Sequence, residues 1–241
     1  MNSGFRSDAK SALATYQEQG YLVEENLVPE PVISRLVATA LDFPNAKDGT
    51  FAPIEMPHRA HPVFLEMMRF PPLVSIVESL VGDKASGIGG EFFYMRPGMP
   101  GFVKHQDNAY VQAPSDAFVS AWTALCDVDE RNGCLVFYPG SHKLGVLPTR
   151  VLEHTPVIGQ NPGAEALESV MPKDIAPLSM PLKRGATVFF HGDLVHASCP
   201  NITADRFRYS ILATYIRKGE PFRRGRLQNR TEIDLHESDN R

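Results

Sequence analysis

The pattern of apolar positions along the chain changes character near residue 85. Upstream, apolar residues recur at helical spacing, which predicts a helix over residues 7–19 and a second one beginning after Pro29. A third predicted helix follows Pro71-Pro72 and ends at Gly82. Proline and glycine are frequent in residues 43–62, which predicts a long ordered loop there. The first third of the chain is therefore expected to be helical.

Downstream of residue 85, short runs of β-branched and aromatic residues alternate with turn residues, which is typical of strands. The predicted strands are 86–95, 102–106, 117–127, 133–138, 175–182, 186–191, 194–199 and 207–217. Many short strands separated by turns favour a jelly roll, in which two antiparallel sheets pack face to face. The fold class is predicted to be mainly β with flanking helices.

No linker divides the chain, so we expect a single domain over residues 1–220. It would comprise a helical front, 7–82, and a jelly-roll core, 86–217, with an insertion at 143–172. Residues 221–241 are predicted to form a partly ordered polar tail.

Composition and charge exclude several classes of protein. The 241 residues carry 24 basic and 28 acidic side chains, a net charge of −4, and basic residues do not cluster before the tail, which argues against nucleic-acid binding. No apolar run is long enough to span a membrane, and the N-terminus lacks the apolar region of a signal peptide. We expect a cytoplasmic protein without a membrane partner.

One histidine pattern indicates metal chemistry. His105 and Asp107 stand two residues apart at the end of a predicted strand, so their side chains are expected to share one face. Further downstream, His191 and His196 offer a third ligand. Two histidines and one carboxylate form a facial triad that leaves coordination positions open, as non-haem Fe(II) oxygenases require.

A second H-x-D pair competes with the first, because His191 and Asp193 have the same spacing and His196 follows them. Gly192-Asp193 resembles the turn of a tight hairpin, which predicts that Asp193 faces solvent. A jelly roll brings together strands that are distant in sequence. We therefore favour His105, Asp107 and His196 as catalytic metal ligands and assign His191 a structural or supporting role.

Several segments together resemble the phytanoyl-CoA dioxygenase family of Fe(II)- and 2-oxoglutarate-dependent oxygenases. They are His105-Gln106-Asp107, Ala121-Trp122-Thr123-Ala124, the segment from Asn132 through Pro139-Gly140-Ser141-His142-Lys143, and His196-Ala197-Ser198 through Arg208-Tyr209-Ser210. The resemblance covers residues 8 to about 217 and implies a double-stranded β-helix with His105, Asp107 and His196 as iron ligands. It also implies that Arg208 binds the distal carboxylate of 2-oxoglutarate, with Ser198 and Trp122 lining that site.

The choice of arginine also has a physical basis. A planar guanidinium grips a carboxylate through two parallel hydrogen bonds, and Arg208 lies on a predicted strand. Arg206 is the rival, although it falls near the preceding turn. The family often has a lysine where this chain has Met95, so Tyr94 is a further candidate for completing the cosubstrate site.

The reaction implied by the resemblance consumes O2 and 2-oxoglutarate, oxidises an unactivated C–H bond, and releases succinate and CO2, with ascorbate as a stimulant. Asp107 is retained, which favours hydroxylation or a related oxidation over halogenation. The alternatives are a cupin-like metal-binding protein without oxygenase activity, or a Zn(II) hydrolase that uses the same three ligands.

The substrate is expected to be a small molecule other than phytanoyl-CoA, because nothing marks a coenzyme A site. Predicted substrate-binding residues combine apolar walls with a few polar groups, as small-molecule pockets do. They are Phe92, Phe102, Asn108, Tyr110 and Arg59. The sequence does not indicate an oligomeric state.

Overall fold

The structure is a computed structural model and describes residues 4–151, 167–172 and 175–236. Six α-helices are found in this part of the chain: α1 Ala9–Gln19, α2 Glu30–Leu41, α3 Pro44–Lys47, α4 Pro62–Met68, α5 Pro71–Val81 and α6 Asn108–Val111. Short 3-10 turns lie at Pro57–Arg59, Ser115–Ala117 and Ser141–Leu144. None of these helices has the length and apolar character needed to cross a lipid bilayer.

The described residues also form twelve strands, all paired antiparallel. They are β1 Tyr21–Glu24, β2 Ile54–Glu55, β3 Ala85–Met95, β4 Phe118–Ala124, β5 Leu135–Phe137, β6 Thr149–Val151, β7 Leu167–Ser169, β8 Leu178–Met180, β9 Thr187–His191, β10 His196–Ser198, β11 Arg208–Arg217 and β12 Ile233–Asp234. The large sheet has the order β1-β9-β4-β11-β3-β12, with β2 added against β3. The small sheet has the order β10-β5-β8, and β6 pairs with β7.

Local sequence signals fix the ends of the main helices. The Asp8 side chain caps the N-terminus of α1 by accepting a hydrogen bond from Ser11 N at 3.1 Å. Gly20 ends α1 and Gly82 ends α5, both in the left-handed conformation with φ of +84° and +76°. The three predicted long helices are confirmed, whereas α3, inside the predicted loop 43–62, and α4, which begins at its last residue, were not predicted.

Strand alternation sorts the side chains of the large sheet into two layers. Phe92 and Tyr94 on β3 point to the outer face, where they join a core formed with α2, α4 and α5. Phe93, between them in sequence, points to the inner face, which opposes the small sheet. A separate inner core includes Trp122 and Phe190. The functional cavity lies on this inner side.

The mainly β prediction is confirmed, and the described sheets do not close into a continuous barrel. One strand prediction is wrong: residues 102–106 contribute a single bridge at His105. Within the predicted polar tail, β12 pairs with β3, and residues 223–230 pack over the inner face. Residues 152–166 of the predicted insertion and the last five residues of the chain lie outside the described part.

Candidate active site

His105 and His196 face each other across an antiparallel bridge between two chain segments that are distant in sequence. The backbone N–H of each residue donates to the carbonyl oxygen of the other, with both N–O distances at 2.9 Å. The centroids of the two imidazole rings are 4.2 Å apart. Backbone pairing thus fixes the separation of the two rings independently of any ligand.

Asp107 completes a group of three possible metal ligands. Its Oδ1 lies 3.7 Å from His105 Nε2 and 3.6 Å from His196 Nε2. The ligand atoms of all three residues lie within 4.8 Å of one another, so the group could hold a metal ion. Asp107 is the N-cap residue of α6 and does not extend a strand, so a turn brings it to His105. The three residues selected from the sequence do lie together, although the predicted strand geometry of Asp107 is wrong.

Both imidazoles are oriented by backbone carbonyls. The Nδ1 of His105 lies 2.8 Å from Val103 O, and the Nδ1 of His196 lies 3.0 Å from Leu194 O. A carbonyl only accepts, so each Nδ1 carries the proton and each Nε2 presents a lone pair to the shared centre. Burial and the neighbouring His105 lower the pKa of His196 to about 4, which keeps this ring neutral as a metal ligand requires.

Three hydrogen bonds, to Ser120 and Asp193, fix the segment that carries Asp107. Ser120 Oγ donates to Asp107 Oδ2 at 2.5 Å, which leaves Oδ1 directed at the histidines. On either side of Asp107, Gln106 Nε2 donates to Asp193 O at 2.6 Å and Asn108 Nδ2 donates to Asp193 Oδ1 at 2.8 Å. The prediction that Asp193 faces solvent is wrong, because its exposed fraction is 1%. A buried carboxylate anchors the metal-binding segment from behind.

His191 belongs to this supporting layer and not to the group of three ligands. Its Nδ1 accepts a hydrogen bond from Asp193 N at 3.0 Å, and the ring is buried. His142 packs nearby, with a centroid distance of 5.1 Å between the two rings. This placement agrees with the structural role that we predicted for His191.

A cavity of about 640 Å³ opens between the two sheets and contains the three candidate ligands. Its inner end is lined by aromatic and aliphatic side chains together with Arg208 and Ser198. Its outer end is lined by α6, by the edge of β3 and by residues of the C-terminal segment. Of the residues predicted from sequence, those at the cavity wall are His105, Asp107, His196, Arg208, Ser198, Trp122, Phe102 and Tyr110.

Arg208 is a buried cation at the inner end of this cavity. Its exposed fraction is 2%, and its Nη1 donates to Gly133 O at 2.8 Å. The buried Nε has no hydrogen-bond partner, and no carboxylate among the described residues pairs with the guanidinium. Burial lowers the pKa of Arg208 to about 10. Because an uncompensated buried charge is unfavourable by several kcal/mol, this arrangement suits an anionic ligand.

Aromatic rings frame the guanidinium of Arg208. Its Cζ lies 5.5 Å from the Trp122 ring centroid and 5.9 Å from the Phe93 ring centroid. Met95 is its direct partner across the β3–β11 pair and packs as a buried apolar side chain. The rival, Arg206, lies at the surface, where it makes a two-point ion pair with Asp129.

Ser198 contributes a hydroxyl to the same end of the cavity. Its Oγ accepts a hydrogen bond from Phe102 N at 2.9 Å, so its own hydrogen can donate into the cavity. Together with Arg208, it provides hydrogen-bond donors that a small dicarboxylate requires.

Four of the predicted binding residues lie away from the cavity. Phe92 and Tyr94 face the helical core, and the Tyr94 hydroxyl donates to Ala40 O. Because residues two apart on a strand share a face, the choice of Phe92 and Tyr94 selected the wrong side of β3. Asn108 is turned inward to Asp193, and Arg59 is an exposed residue that contacts the C-terminal segment.

Sequence reasoning missed the charged residues at the outer end. Glu55 and Glu91 line the cavity from β2 and β3, and Arg230 lines it from the C-terminal segment. Burial, Glu55 and Asp107 raise the pKa of Glu91 to about 8. A charged residue in the middle of an otherwise apolar strand was the available signal, since Glu91 shares the inward face of β3 with Phe93.

Comparison with known proteins identifies related sequences. The sequence model of the family described as Phytanoyl-CoA dioxygenase (PhyH) matches residues 16–210. A probable phytanoyl-CoA dioxygenase of Caenorhabditis elegans is 27% identical over 231 residues, covering 83% of this chain and 72% of that protein. The peroxisomal phytanoyl-CoA dioxygenase of Rattus norvegicus is 30% identical over 227 residues, covering 83% and 66%. The chain spans about half the length of the matched relatives from Oryza sativa subsp. japonica and Arabidopsis thaliana, at 50% and 53%.

Solved structures with the same fold include two complexes with 2-oxoglutarate. One is the epimerase SnoN with Fe3+, alpha ketoglutarate and nogalamycin RO, with a TM-score of 0.75, 19% identity, and coverage of 90% of this chain and 87% of that chain. The other is EvdO2 from Micromonospora carbonacea var. aurantiaca with 2-oxoglutarate, with a TM-score of 0.72, 18% identity, and coverage of 92% and 95%. At these identities the similarity establishes the fold.

Proposed function

Because the chain belongs to the phytanoyl-CoA dioxygenase family, we propose that it is an Fe(II)- and 2-oxoglutarate-dependent dioxygenase that oxidises an unactivated C–H bond of a small molecule. The observation that carries this proposal is the position of a buried Arg208, which has no carboxylate partner within the described part of the chain, in the same cavity as His105, Asp107 and His196. One group suits a metal and the other suits the distal carboxylate of a dicarboxylic acid.

The donor set fits ferrous iron. Two imidazole nitrogens and one carboxylate oxygen converge, both rings present Nε2, and three coordination positions remain for other ligands. A metal held in this way would offset the negative charge of Asp107, which otherwise contributes to raising the pKa of Glu91. His105, Asp107 and His196 would therefore hold the metal.

Each remaining side chain has a defined task. Arg208 would orient 2-oxoglutarate through its distal carboxylate, and the hydroxyl of Ser198 would donate to the same group. Trp122 and Phe93 would exclude water from that end, so the electrostatic interaction with Arg208 is strengthened. The iron and its cosubstrate supply the oxidative chemistry, in which the substrate, O2 and 2-oxoglutarate give oxidised substrate, succinate and CO2.

A Zn(II) hydrolase on the same ligands is the competing function, because zinc accepts the same donor set. The hydrolase function does not account for the buried guanidinium of Arg208. A cytoplasmic location remains a prediction from the sequence.

Metal and cosubstrate dependence test the proposal. Purified protein stripped of metal is assayed for succinate with Fe(II), 2-oxoglutarate and O2, with and without ascorbate, and in parallel with Zn(II). Succinate formation that needs Fe(II) and 2-oxoglutarate, and that ascorbate increases, is the expected result. Hydrolysis of ester substrates with Zn(II), without any consumption of 2-oxoglutarate, would replace the oxygenase with the hydrolase.

A further inference from the structure

Residues 223–230, here called the C-terminal loop, form the outer wall of the cavity. The loop folds back on itself, with Arg230 N donating to Arg224 O at 2.8 Å and Asn229 N donating to Gly225 O at 3.2 Å. Arg223 N joins it to the end of α6 by donating to Val111 O at 2.6 Å. The family match ends at residue 210, so this wall lies outside the part of the chain that the family model covers.

Arg59 fastens the C-terminal loop from outside. Its Nη1 donates to Gln228 O and its Nη2 donates to Asn229 O, both at 2.8 Å. Gln228 lines the cavity and Arg59 does not. Arg59 therefore acts on the site by positioning the loop.

Opposite the loop, two glutamates lie side by side on the cavity wall. Glu55 and Glu91 are direct partners across the β2–β3 pair, and both line the cavity. Like charges placed opposite each other on neighbouring strands are destabilising. The Arg230 guanidinium interacts electrostatically with both glutamate carboxyls and with Asp107, so its positive charge is shared among three acidic residues. A cationic group of a ligand would let both glutamates ionise in contact with it.

The mouth of the cavity has the opposite character. Arg223 and Arg226 line it and are exposed, whereas Glu55 and Glu91 are partly buried, and the charge of Asp107 acts on Glu91. The outer half of the cavity therefore presents acids on the inside and arginines at the entrance. A ligand with one cationic end and one anionic end would place a charge of opposite sign beside both the glutamates and the arginines.

On the basis of the proposed function, we propose that the substrate is a small zwitterion whose cationic nitrogen contacts Glu55 and Glu91 and whose anionic group faces Arg223 and Arg226. The C-terminal loop supplies the residues that face the anionic group, and β2 and β3 supply those that contact the cation. The cavity of about 640 Å³ must also hold 2-oxoglutarate, and its outer wall is charged, so a long acyl chain is a poor match.

The test uses matched probes of one size that differ in charge. Free linear and cyclic amino acids are compared with their N-acetyl derivatives, which keep the anion only, and with their amides, which keep the cation only. Two readouts are taken: stimulation of succinate formation above the level without substrate, and the fluorescence of Trp122, the single tryptophan, in protein loaded with Mn(II) and 2-oxoglutarate. We expect a response from members of the zwitterionic set that their acetylated and amidated forms lack.

Single-residue variants test which side chains bind the cationic end and the anionic end of the probe. Glu91→Gln is expected to lower the affinity for the responding zwitterion by at least about tenfold, the loss of one charged hydrogen bond. Arg226→Gln is expected to weaken the response to the anionic end. Arg224→Gln on the same loop is the matched control, because Arg224 does not line the cavity.

The outcomes separate this proposal from the proposed function. Binding of 2-oxoglutarate to the metal-loaded protein should be unchanged in Glu91→Gln and Arg226→Gln, so a failure of the substrate class leaves the oxygenase assignment standing. A response to acyl-coenzyme A or to the uncharged probes, no response to any zwitterion, or a Glu91→Gln variant that behaves like wild type would overturn the proposal.

Discussion

The inner and outer ends of the cavity are built in different ways. At the inner end, Arg208, Trp122 and Ser198 lie on paired strands, and each is largely buried. At the outer end, the C-terminal loop contributes exposed side chains and is held by few contacts, among them the two bonds from Arg59. The inner residues fall within the family match of 16–210, and the loop falls outside it.

This difference indicates that the inner end carries out the reaction and that the outer end selects the substrate. Residues on neighbouring strands keep fixed distances, which suits a metal and a cosubstrate whose geometry must be reproduced at every turnover. Loops tolerate change in sequence and length, so they can adapt to a new substrate without disturbing the sheet. We expect substitutions at the inner end to abolish turnover and substitutions at the outer end to change which molecule is oxidised.

Removing a metal ligand should give the largest effect. Asp107→Ala and His196→Ala are each expected to lower succinate formation by more than about 100-fold, beyond the usual loss for a residue that only supports a ligand. Both side chains lie at the cavity wall and not in the helical core, so the cooperative thermal transition should persist. Succinate formation at the wild-type rate in either variant would contradict the assignment of these ligands.

Replacing Arg208 should lower only the affinity of the protein for 2-oxoglutarate. Arg208→Gln loses charge-assisted hydrogen bonds worth about 1.5–3 kcal/mol, so the dissociation constant of 2-oxoglutarate should rise by about tenfold to 100-fold. The measurement is a titration of the metal-loaded protein. Arg206→Gln is the matched control, since Arg206 pairs with Asp129 at the surface, and an equal loss in both variants would remove the distinction.

Asp193 should affect metal affinity without touching the metal. Asp193→Ala removes the carboxylate that accepts from Asn108 Nδ2, whereas the backbone carbonyl that accepts from Gln106 remains. We expect Fe(II) to bind about tenfold more weakly, as for other residues that orient a ligand. Asp116→Ala serves as control, because the Asp116 side chain is 92% exposed. If metal affinity is unchanged while stability falls, Asp193 is structural only.

Releasing the C-terminal loop should give the smallest effect. Arg59→Ala removes two surface hydrogen bonds, for which we expect less than about 1 kcal/mol of global stability. Amide exchange in residues 225–230 should become faster, whereas 2-oxoglutarate affinity should stay the same. Hydrogen exchange with mass spectrometry measures the first and titration the second; a parallel loss at the inner end would contradict the independence of the two ends.

The structure brings to one cavity four residues that were selected from the sequence. The order of the motifs and the chemistry of the residue types both indicate a metal and cosubstrate site. These two signals selected His105, Asp107, His196 and Arg208. The mainly β fold followed from the period-two pattern. These features depend on local pattern and on chemistry that only a few residue types provide.

Other parts of the site were predicted poorly, for physical reasons. Whether Phe92 or Phe93 faces the cavity depends on the register of β3 against β11, which a run of consecutive aromatic residues does not reveal. Asp193 looked like a turn residue because its partners, Gln106 and Asn108, are more than 80 residues away in sequence. The C-terminal loop resembled a polar tail because the contacts that join it to α6 and to Arg59 are made through its backbone.

The most direct test of the central claim is an anaerobic titration of Fe(II) and 2-oxoglutarate into metal-free protein, following the weak visible charge-transfer band of the iron chelate. The account predicts a band in wild type, its loss in Asp107→Ala, and a shift to higher 2-oxoglutarate concentrations in Arg208→Gln. Wild-type protein that binds Zn(II) tightly and shows no band with Fe(II) and 2-oxoglutarate would contradict the assignment of both sites.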